Sequence, residues 1–414
     1  MQVIVIGAGV AGTFAAAHIA EYAQCLVLDK NEKVGKKLYL TGKGRCNLTN
    51  DSDIANIQKN VMHGAKFLTS ALHKWSAQDT IAFAEQHHCP IKVERGKRVF
   101  PMSDKSSDVI RMLENAAKHA GAEIRLQTQV QEILVQDDRV CGVIANGEKI
   151  TADCVVVATG GISYPSTGST GDGYRFAKKL GLHTVEPRPA LVPMLADGFG
   201  ALAGLTLKNV AAWVETDGKR IGDEFGEMLF THTGVSGPIV LSLSSRLNAY
   251  WENGALTRPA QLVIDLKPAL AQDLLDRKLV ASLQQHPNAQ VGKIVGEYLP
   301  RSLGAEWLKQ AGVAEYCPCH SITKPQRNAL AQVLKRFVIP IRGLMQADCG
   351  IITAGGVDLA EINPSTMESK KVHGLYFIGE VLDIDALTGG YNIQIALSTA
   401  YACARAIGLL VQKG

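Results

Sequence analysis

This 414-residue chain has no paired cysteine framework; its nine cysteines are scattered. A disulfide-built secreted scaffold is therefore not expected, and reduced thiols in a cytoplasmic protein are. Long blocks of one charge are also missing, which excludes a polyelectrolyte tail. The net charge of +4 is too small to argue for nucleic acid, although it permits an anionic ligand. No charge-free span of membrane-crossing length is expected, and hence no membrane contact. The opening MQVIVIGAG puts apolar residues directly after Met1, where a signal peptide would first place basic ones. What remains is a globular composition, 46% hydrophobic and 20% charged. The length exceeds one ordinary core, so two or three domains are expected.

Val3 to Ile6 is a short β-branched run suited to a buried parallel strand. It meets Gly7-Ala8-Gly9-Val10-Ala11-Gly12 and then an alanine-rich helix through Ile19. In that setting Gly7 allows the tight turn, Gly9 lets a pyrophosphate approach, and Gly12 lets helix and strand pack. Cys25 to Leu28 reads as the second strand and ends in Asp29, followed by Lys30. An acid at this distance holds an adenosine ribose and disfavours a 2′-phosphate. A dinucleotide site follows, with NAD and FAD both open.

The loop TGKGRCNLTN, residues 41–50, matches neither a strand nor a helix pattern. Gly42 and Gly44 permit close backbone approach, Arg45 is a candidate clamp for anionic oxygen, and Asn47 lies beside them. Residues 64–88 and 104–119 look helical. Short strands are expected at 123–126, 129–136, 139–145 and 149–151. The apolar strand 153–158 runs into Ala158-Thr159-Gly160-Gly161, backbone with little side-chain bulk for a ligand to meet. Asp172 either caps the helix at 174–179 or orients a ligand. No second G-x-G-x-x-G follows a strand, so one nucleotide domain holds the resident cofactor.

From about Pro187 the texture changes to strands at 205–214, 223–230 and 261–266 and helices at 271–283, 291–297 and 325–335. A separate substrate or cap domain over roughly 190–345 fits. His232, in THTGVSGP, is either an acid–base group or part of a capped helix start. Cys317-Pro318-Cys319-His320 has metal-capable atoms, but its spacing is tight and no partner pair follows, so no metal is expected.

The segment 351–357, with Gly355, offers backbone for a ring system. Near the end, 374–380 reads as a last strand closing on Gly379-Glu380, with Asp385 nearby. Gly389-Gly390-Tyr391-Asn392-Ile393 then opens a long helix. A strand-end acid can hold a ribityl hydroxyl, and N–H groups from Tyr391 to Ile393 can face a flavin carbonyl. Ligand elements at both chain ends favour FAD over NAD.

On TGKGRCNLTN, FTHTGVSGP and GLYFIGEVLDIDALTGGYNIQIA, the chain resembles the YhiN-type, BaiN-like or aminoacetone-oxidase-like bacterial flavoproteins of the glutathione-reductase-type FAD superfamily. The Cys-x4-Cys redox pair of better-studied relatives in the superfamily is absent, which argues against thiol–disulfide chemistry. The resemblance implies an α/β, Rossmann-like FAD domain from residues 1–190 and 346–414. It also implies a barrel-like β insert, 191–270 with 336–345, and a helical insert, 271–335. Gly7, Gly9, Gly12, Asp29, Lys37, Gly44, Arg45, Val130, Gly160, Asp172, Glu380, Asn392 and Ile393 would surround the cofactor, with Val130 presenting its backbone to adenine.

The expected activity is an FAD oxidoreductase that takes hydride from NADH or NADPH as a transient reductant and reduces a carbon–carbon double bond. The resemblance extends this to a uridine of large-subunit ribosomal RNA. Cys46 is a candidate acid or a small space-filling residue, and His232 is the other candidate acid. Lys43, Arg45, Lys97 and Arg98 screen RNA phosphates, or are solvated surface and cofactor contacts. Two rivals stand beside this: an amine or aminoketone oxidase using oxygen, and a non-enzymatic FAD-containing RNA-binding or assembly factor. Oligomeric state stays open.

Overall fold

The computed structural model describes residues 1–413, apart from the side chains of Lys43, Ala347 and Lys413. The fold is mixed α/β. It divides into two compact units, Met1–Ala190 with Gln346–Gly414, and Leu191–Met345.

The first unit is built on a five-stranded parallel sheet. Its order is Leu375–Phe377, Cys154–Val157, Gln2–Ile6, Gln24–Leu28, Glu123–Arg125. The central strands are buried on both faces, which is why they are unbroken apolar runs rather than alternating ones. The strand from the far end of the chain pairs directly with Cys154–Val157, with Val156 opposite Tyr376. Helix Val10–Ile19 packs against the final helix, Tyr391–Lys413, and against Ser106–His119. A three-stranded antiparallel meander, Val130–Gln136, Arg139–Ala145 and Glu148–Thr151, is set off by the Asp137-Asp138 and Asn146-Gly147 turns. All four of these turn residues have positive φ.

The second unit carries a seven-stranded antiparallel sheet. Its order is Phe337–Ile341, Ala260–Asp265, Thr206–Thr216, Lys219–Thr231, Gly234–Ser236, Met194–Leu195, Gly343–Leu344. The two outer strands are separated in sequence only by Arg342, so the sheet curls back on itself. Helices Gln272–Gln285, Arg301–Gln310 and Lys324–Lys335 share one apolar core with it, in which Trp307 is fully buried and donates to Leu330 O at 2.9 Å.

Several expectations need correction. The helix expected over 64–88 is two, Thr69–Lys74 and Ala77–Gln86. Ser76 and Asp79 form a reciprocal capping box at the break, a local start signal stronger than the continuing apolar spacing. Residues 291–297 form two 3₁₀ turns instead of a helix. Helix Arg301–Gln310 is an addition. Its Gly304 serves close packing, since a Cβ there would lie 2.2 Å from Val295 Cγ1. The loop containing Gly42 and Gly44 is not irregular: Lys36–Gly44 winds as successive 3₁₀ turns behind a left-handed Gly35.

The chain does contain an uncharged run, 386–404. The helix Tyr391–Gln412 within and beyond it is long and apolar enough to cross a membrane by length and composition. In this fold 67% of its apolar window is buried against the rest of the protein, and its apolar faces are spent on the core.

Candidate FAD site

Both chain ends meet at the glycine turn. Gly7 is left-handed at φ 107°, and a Cβ on it would sit 2.6 Å from Ala158 O. A Cβ on Gly12 would sit 1.9 Å from Gly7 O, so the first helix touches the first strand only because this residue is glycine. A Cβ on Gly379 would come 2.9 Å from Ala11 Cβ, which brings the end of the last strand to the first helix. Gly9 differs: a Cβ there meets nothing within 4 Å, and its φ of −79° is ordinary. Protein packing does not require glycine at position 9; a ligand approaching the helix N-terminus does.

Neither the first turn of helix Val10–Ile19 nor that of the final helix contains an acid, so neither helix carries its own counter-charge in its first turn. The buried Asn47 Oδ1 and Thr159 Oγ1 lack hydrogen-bond partners among the described residues. Buried polar atoms are normally satisfied, and both of these lie in segments assigned to the cofactor. Open space over Gly9, two free helix ends and two orphaned polar atoms fit FAD.

The carboxylates are more occupied than the sequence suggests. Asp29 accepts from Ala8 N at 2.6 Å, from Asn31 N at 2.7 Å and from Asn31 Nδ2 at 2.9 Å. It therefore braces the glycine turn as well as standing where a ribose hydroxyl would bind. Thr128 N donates to Asp29 O, which brings the segment leading into the buried Val130 alongside. Asp172 is not a cap. The N-cap is left-handed Gly171, and Asp172 pairs with Lys30 at 2.6 Å and Arg175 at 3.1 Å. Lys37 and Glu380 form an ion pair at 2.7 Å, each about one-fifth exposed (22%). Glu380 Oε1 also accepts from Thr353 N and Ser163 Oγ, at 3.1 and 3.0 Å. Gly161 admits this cluster, since its Cβ would be 2.4 Å from Thr353 Oγ1. Gly160 beside it is left-handed at φ 70°.

Three assignments change. Arg45 as an anion clamp is corrected: its guanidinium is held by Glu94 and Asp104 and lies over Phe100 at 4.2 Å. These carboxylates raise its pKa further. Cys46 is 0% exposed, and burial pushes its thiol up to about 12. A thiol so weakly acidic is a poor proton donor at neutral pH and is better accounted for as a space-filling residue. Gly355 answers to packing: at φ 85°, a Cβ there would lie 2.4 Å from Glu186 O on the paired strand Thr184–Ala190.

His232 lies in the second unit, exposed with Thr233 on a two-residue turn between strands Lys219–Thr231 and Gly234–Ser236. The following helix starts only at Pro238, behind Gly237, so His232 does not open it. In the 317–320 stretch, Cys317 contacts Ser321 Oγ, Cys319 is buried and His320 Nδ1 meets Pro287 O. The described residues contain no cluster that could hold a metal.

The final helix is fixed to the 41–50 loop. A Cβ on Gly390 would be 2.4 Å from Thr49 O, and Asn50 Nδ2 donates to Gly389 O at 3.1 Å. Fully buried Gln394 accepts from Thr49 Oγ1 at 2.6 Å and Thr80 Oγ1 at 2.9 Å. Asn392 closes the turn before the helix by bonding both backbone groups of Ala386. This positions Tyr391 and the partly buried Ile393 in the first helical turn. Just upstream, Asp385 is 3% exposed, and burial raises its carboxyl to about 6. His63, on the strand paired with it, contacts Asp383 Oδ2 at 3.2 Å, and that hydrogen bond raises the imidazole to about 9. Ser163, Thr353, Gln394 and His63 are absent from the sequence reading. The first two follow or precede glycine pairs, which is a usable signal; His63 has none.

Residues 1–406 match the model of the HI0933-like protein Rossmann domain family. The chain is 32% identical to a Haemophilus influenzae protein named ribosomal RNA dihydrouridine synthase, over 98% of each chain. It is also 32% identical to an Escherichia coli protein of the same name, over 97% of this chain and 96% of that one. A Clostridium scindens 3-dehydro-bile acid delta(4,6)-reductase is 30% identical over 97% and 98%. Among solved structures, the 3-ketosteroid delta1-dehydrogenase of Sterolibacterium denitrificans shares the fold, with TM-score 0.53 at 13% identity and 99% of each chain covered. The chain belongs to the HI0933-like family of Rossmann-fold flavoproteins and is an FAD-dependent oxidoreductase.

Proposed function

We propose that the protein reduces a carbon–carbon double bond conjugated to a carbonyl, and that its substrate is a uridine of large-subunit ribosomal RNA, converted to dihydrouridine. The observation that carries this is the 32% identity to two ribosomal RNA dihydrouridine synthases over nearly the whole of each chain. The 30% likeness to the bile acid reductase supports the same bond type on a small molecule, which is the second reading. FAD, when bound, supplies hydride transfer, and NADH or NADPH is the proposed source of that hydride.

In this reading the chain's own groups have three tasks. Gly7, Gly9 and Gly12 with the first helix hold the pyrophosphate, and Asp29 the ribose. Glu380, oriented by Lys37 and Ser163, holds the ribityl chain. The N–H groups of Tyr391 to Ile393, at the start of the final helix, would supply hydrogen-bond donors to the flavin end of the cofactor. A proton must reach the substrate carbon next to the carbonyl. Asp385, with its raised carboxyl beside His63 and Asp383, is the acid assigned here in place of Cys46. The soluble cytoplasmic setting of ribosomal RNA belongs to the same reading.

Anaerobic stopped-flow mixing tests it. NADH or NADPH should bleach the flavin absorbance, and a uridine-containing ribosomal RNA fragment should restore it. If an aminoketone bleaches the flavin and neither nicotinamide does, an oxygen-using oxidase replaces this reading. A flavin that responds to neither points to the non-enzymatic factor.

A further inference from the structure

We propose that the tip of the hairpin formed by Ile91–Glu94 and Arg98–Pro101 is a docking surface for an RNA phosphate backbone, holding the polymer beside the cofactor loop. This rests on the ribosomal RNA reading above. The strands pair with Glu94 opposite Arg98, leaving Arg95-Gly96-Lys97 as the turn. Arg95, Lys97 and Arg98 are all exposed.

Positive charge is in excess here for a definite reason. The two neighbouring carboxylates, Glu94 and Asp104, are already engaged by Arg45 and Lys92. Arg98 comes only within 3.8 Å of Glu94 and is 44% exposed. Arg95 and Lys97 form no ion pair among the described residues. Arg95 and Lys97 therefore face solvent without an ion partner, Arg98 adds its charge at the edge of a long contact with Glu94, and with Arg45 and Lys92 these cations outnumber Glu94, Asp104 and Asp51, which is a pattern that recognises a polyanion.

The tip is also braced against the cofactor elements. Asn50 Nδ2 donates to Gly96 O at 3.0 Å and to Gly389 O at 3.1 Å. Asp51 N donates to Lys97 O at 2.8 Å, and Thr49-Asn50 pairs with Val99-Arg98. One asparagine thus ties the basic turn to the residues opening the final helix. The basic turn is thereby fixed, through one side chain, to the loop that opens the final helix, a placement suited to a polymer that must also reach the cofactor. The Lys43 side chain lies outside the described residues.

The test is the holoprotein carrying Arg95→Glu, Lys97→Glu and Arg98→Glu together. Flavin content and bleaching by nicotinamide should be unchanged. Affinity for a ribosomal RNA fragment should fall on the order of a hundredfold. The slope of log affinity against log salt should become shallower by about two to three units, one cation contributing about 0.7–0.9. Wild-type binding with an unaltered slope in the variant overturns the docking surface and leaves the RNA reading standing. A wild-type protein that binds no RNA removes both, and hairpin-dependent binding to anionic vesicles in its place assigns the patch to a membrane.

Discussion

Gly9→Ala should leave the apoprotein as stable as wild type and weaken flavin binding, whereas Gly12→Ala should cost the fold itself. The two glycines belong to one motif, but their surroundings separate them. The Gly12 methyl would sit 1.9 Å from Gly7 O and 3.2 Å from Ala158 Cβ. Backbone carbonyls cannot swing aside as a side chain can, so the first helix must lift from the sheet that Val3 to Ile6 anchor. A loss above about 4 kcal/mol is expected, in the range reserved for core overpacking and strain. At Gly9 the added methyl enters open space at a φ any residue adopts, and stability should change by less than about 0.5 kcal/mol. It would occupy the volume a pyrophosphate needs, at a cost of about 1–3 kcal/mol, or a Kd for FAD weaker by roughly five- to 150-fold. Denaturation of the two apoproteins and titration with FAD measure both effects. Full flavin affinity in Gly9→Ala would show that the space above Gly9 is not the cofactor seat.

Asp385→Asn should show opposite effects on stability and turnover. The wild-type carboxyl is raised from its usual 3.8 to about 6, with burial as the main cause. In the native state it holds its proton more tightly than in the unfolded chain. Stability is therefore intact below about pH 4, declines as pH rises through about 6, and stays lowered above that. Two pKa units correspond to roughly 3 kcal/mol. The neutral asparagine should recover much of this at pH 7.5 and almost none at pH 4. His63 and Asp383 set the local field: the imidazole favours the charged carboxylate and Asp383 opposes it, with Arg188 also favouring it. Turnover moves the other way. An acid that must carry its proton gives a single-turnover rate that falls above about pH 6, and its removal costs on the order of 10²–10⁴. The variant should lose that pH dependence along with the rate. A stabilised variant that keeps both the rate and the pH profile would make Asp385 a structural group alone.

The nucleotide-binding half was legible because its determinants are local. A β-branched strand, three glycines and a strand-end acid are adjacent in sequence, and the geometry around Gly7, Gly12 and Asp29 is the one those residues imply. Contacts between distant segments were not legible. Nothing near Arg45 announces that Glu94 and Asp104 will claim it. Cys46 has a polar, glycine-rich neighbourhood in sequence and a fully buried one in space, because the 3₁₀ turns of Lys36–Gly44 fold back over it. His63 acquires its role from pairing with a segment over three hundred residues away. Gly355 and Gly9 look alike in sequence, yet one is demanded by a neighbouring carbonyl and the other by open space.

The uridine reduction proposed above has a direct cellular readout. Mass analysis of ribosomal RNA from cells lacking the gene tests it most directly, with and without a restored copy. One large-subunit uridine should lose its two-dalton gain in mass and regain it on complementation. Ribosomal RNA with unchanged dihydrouridine in the deletion strain would contradict it.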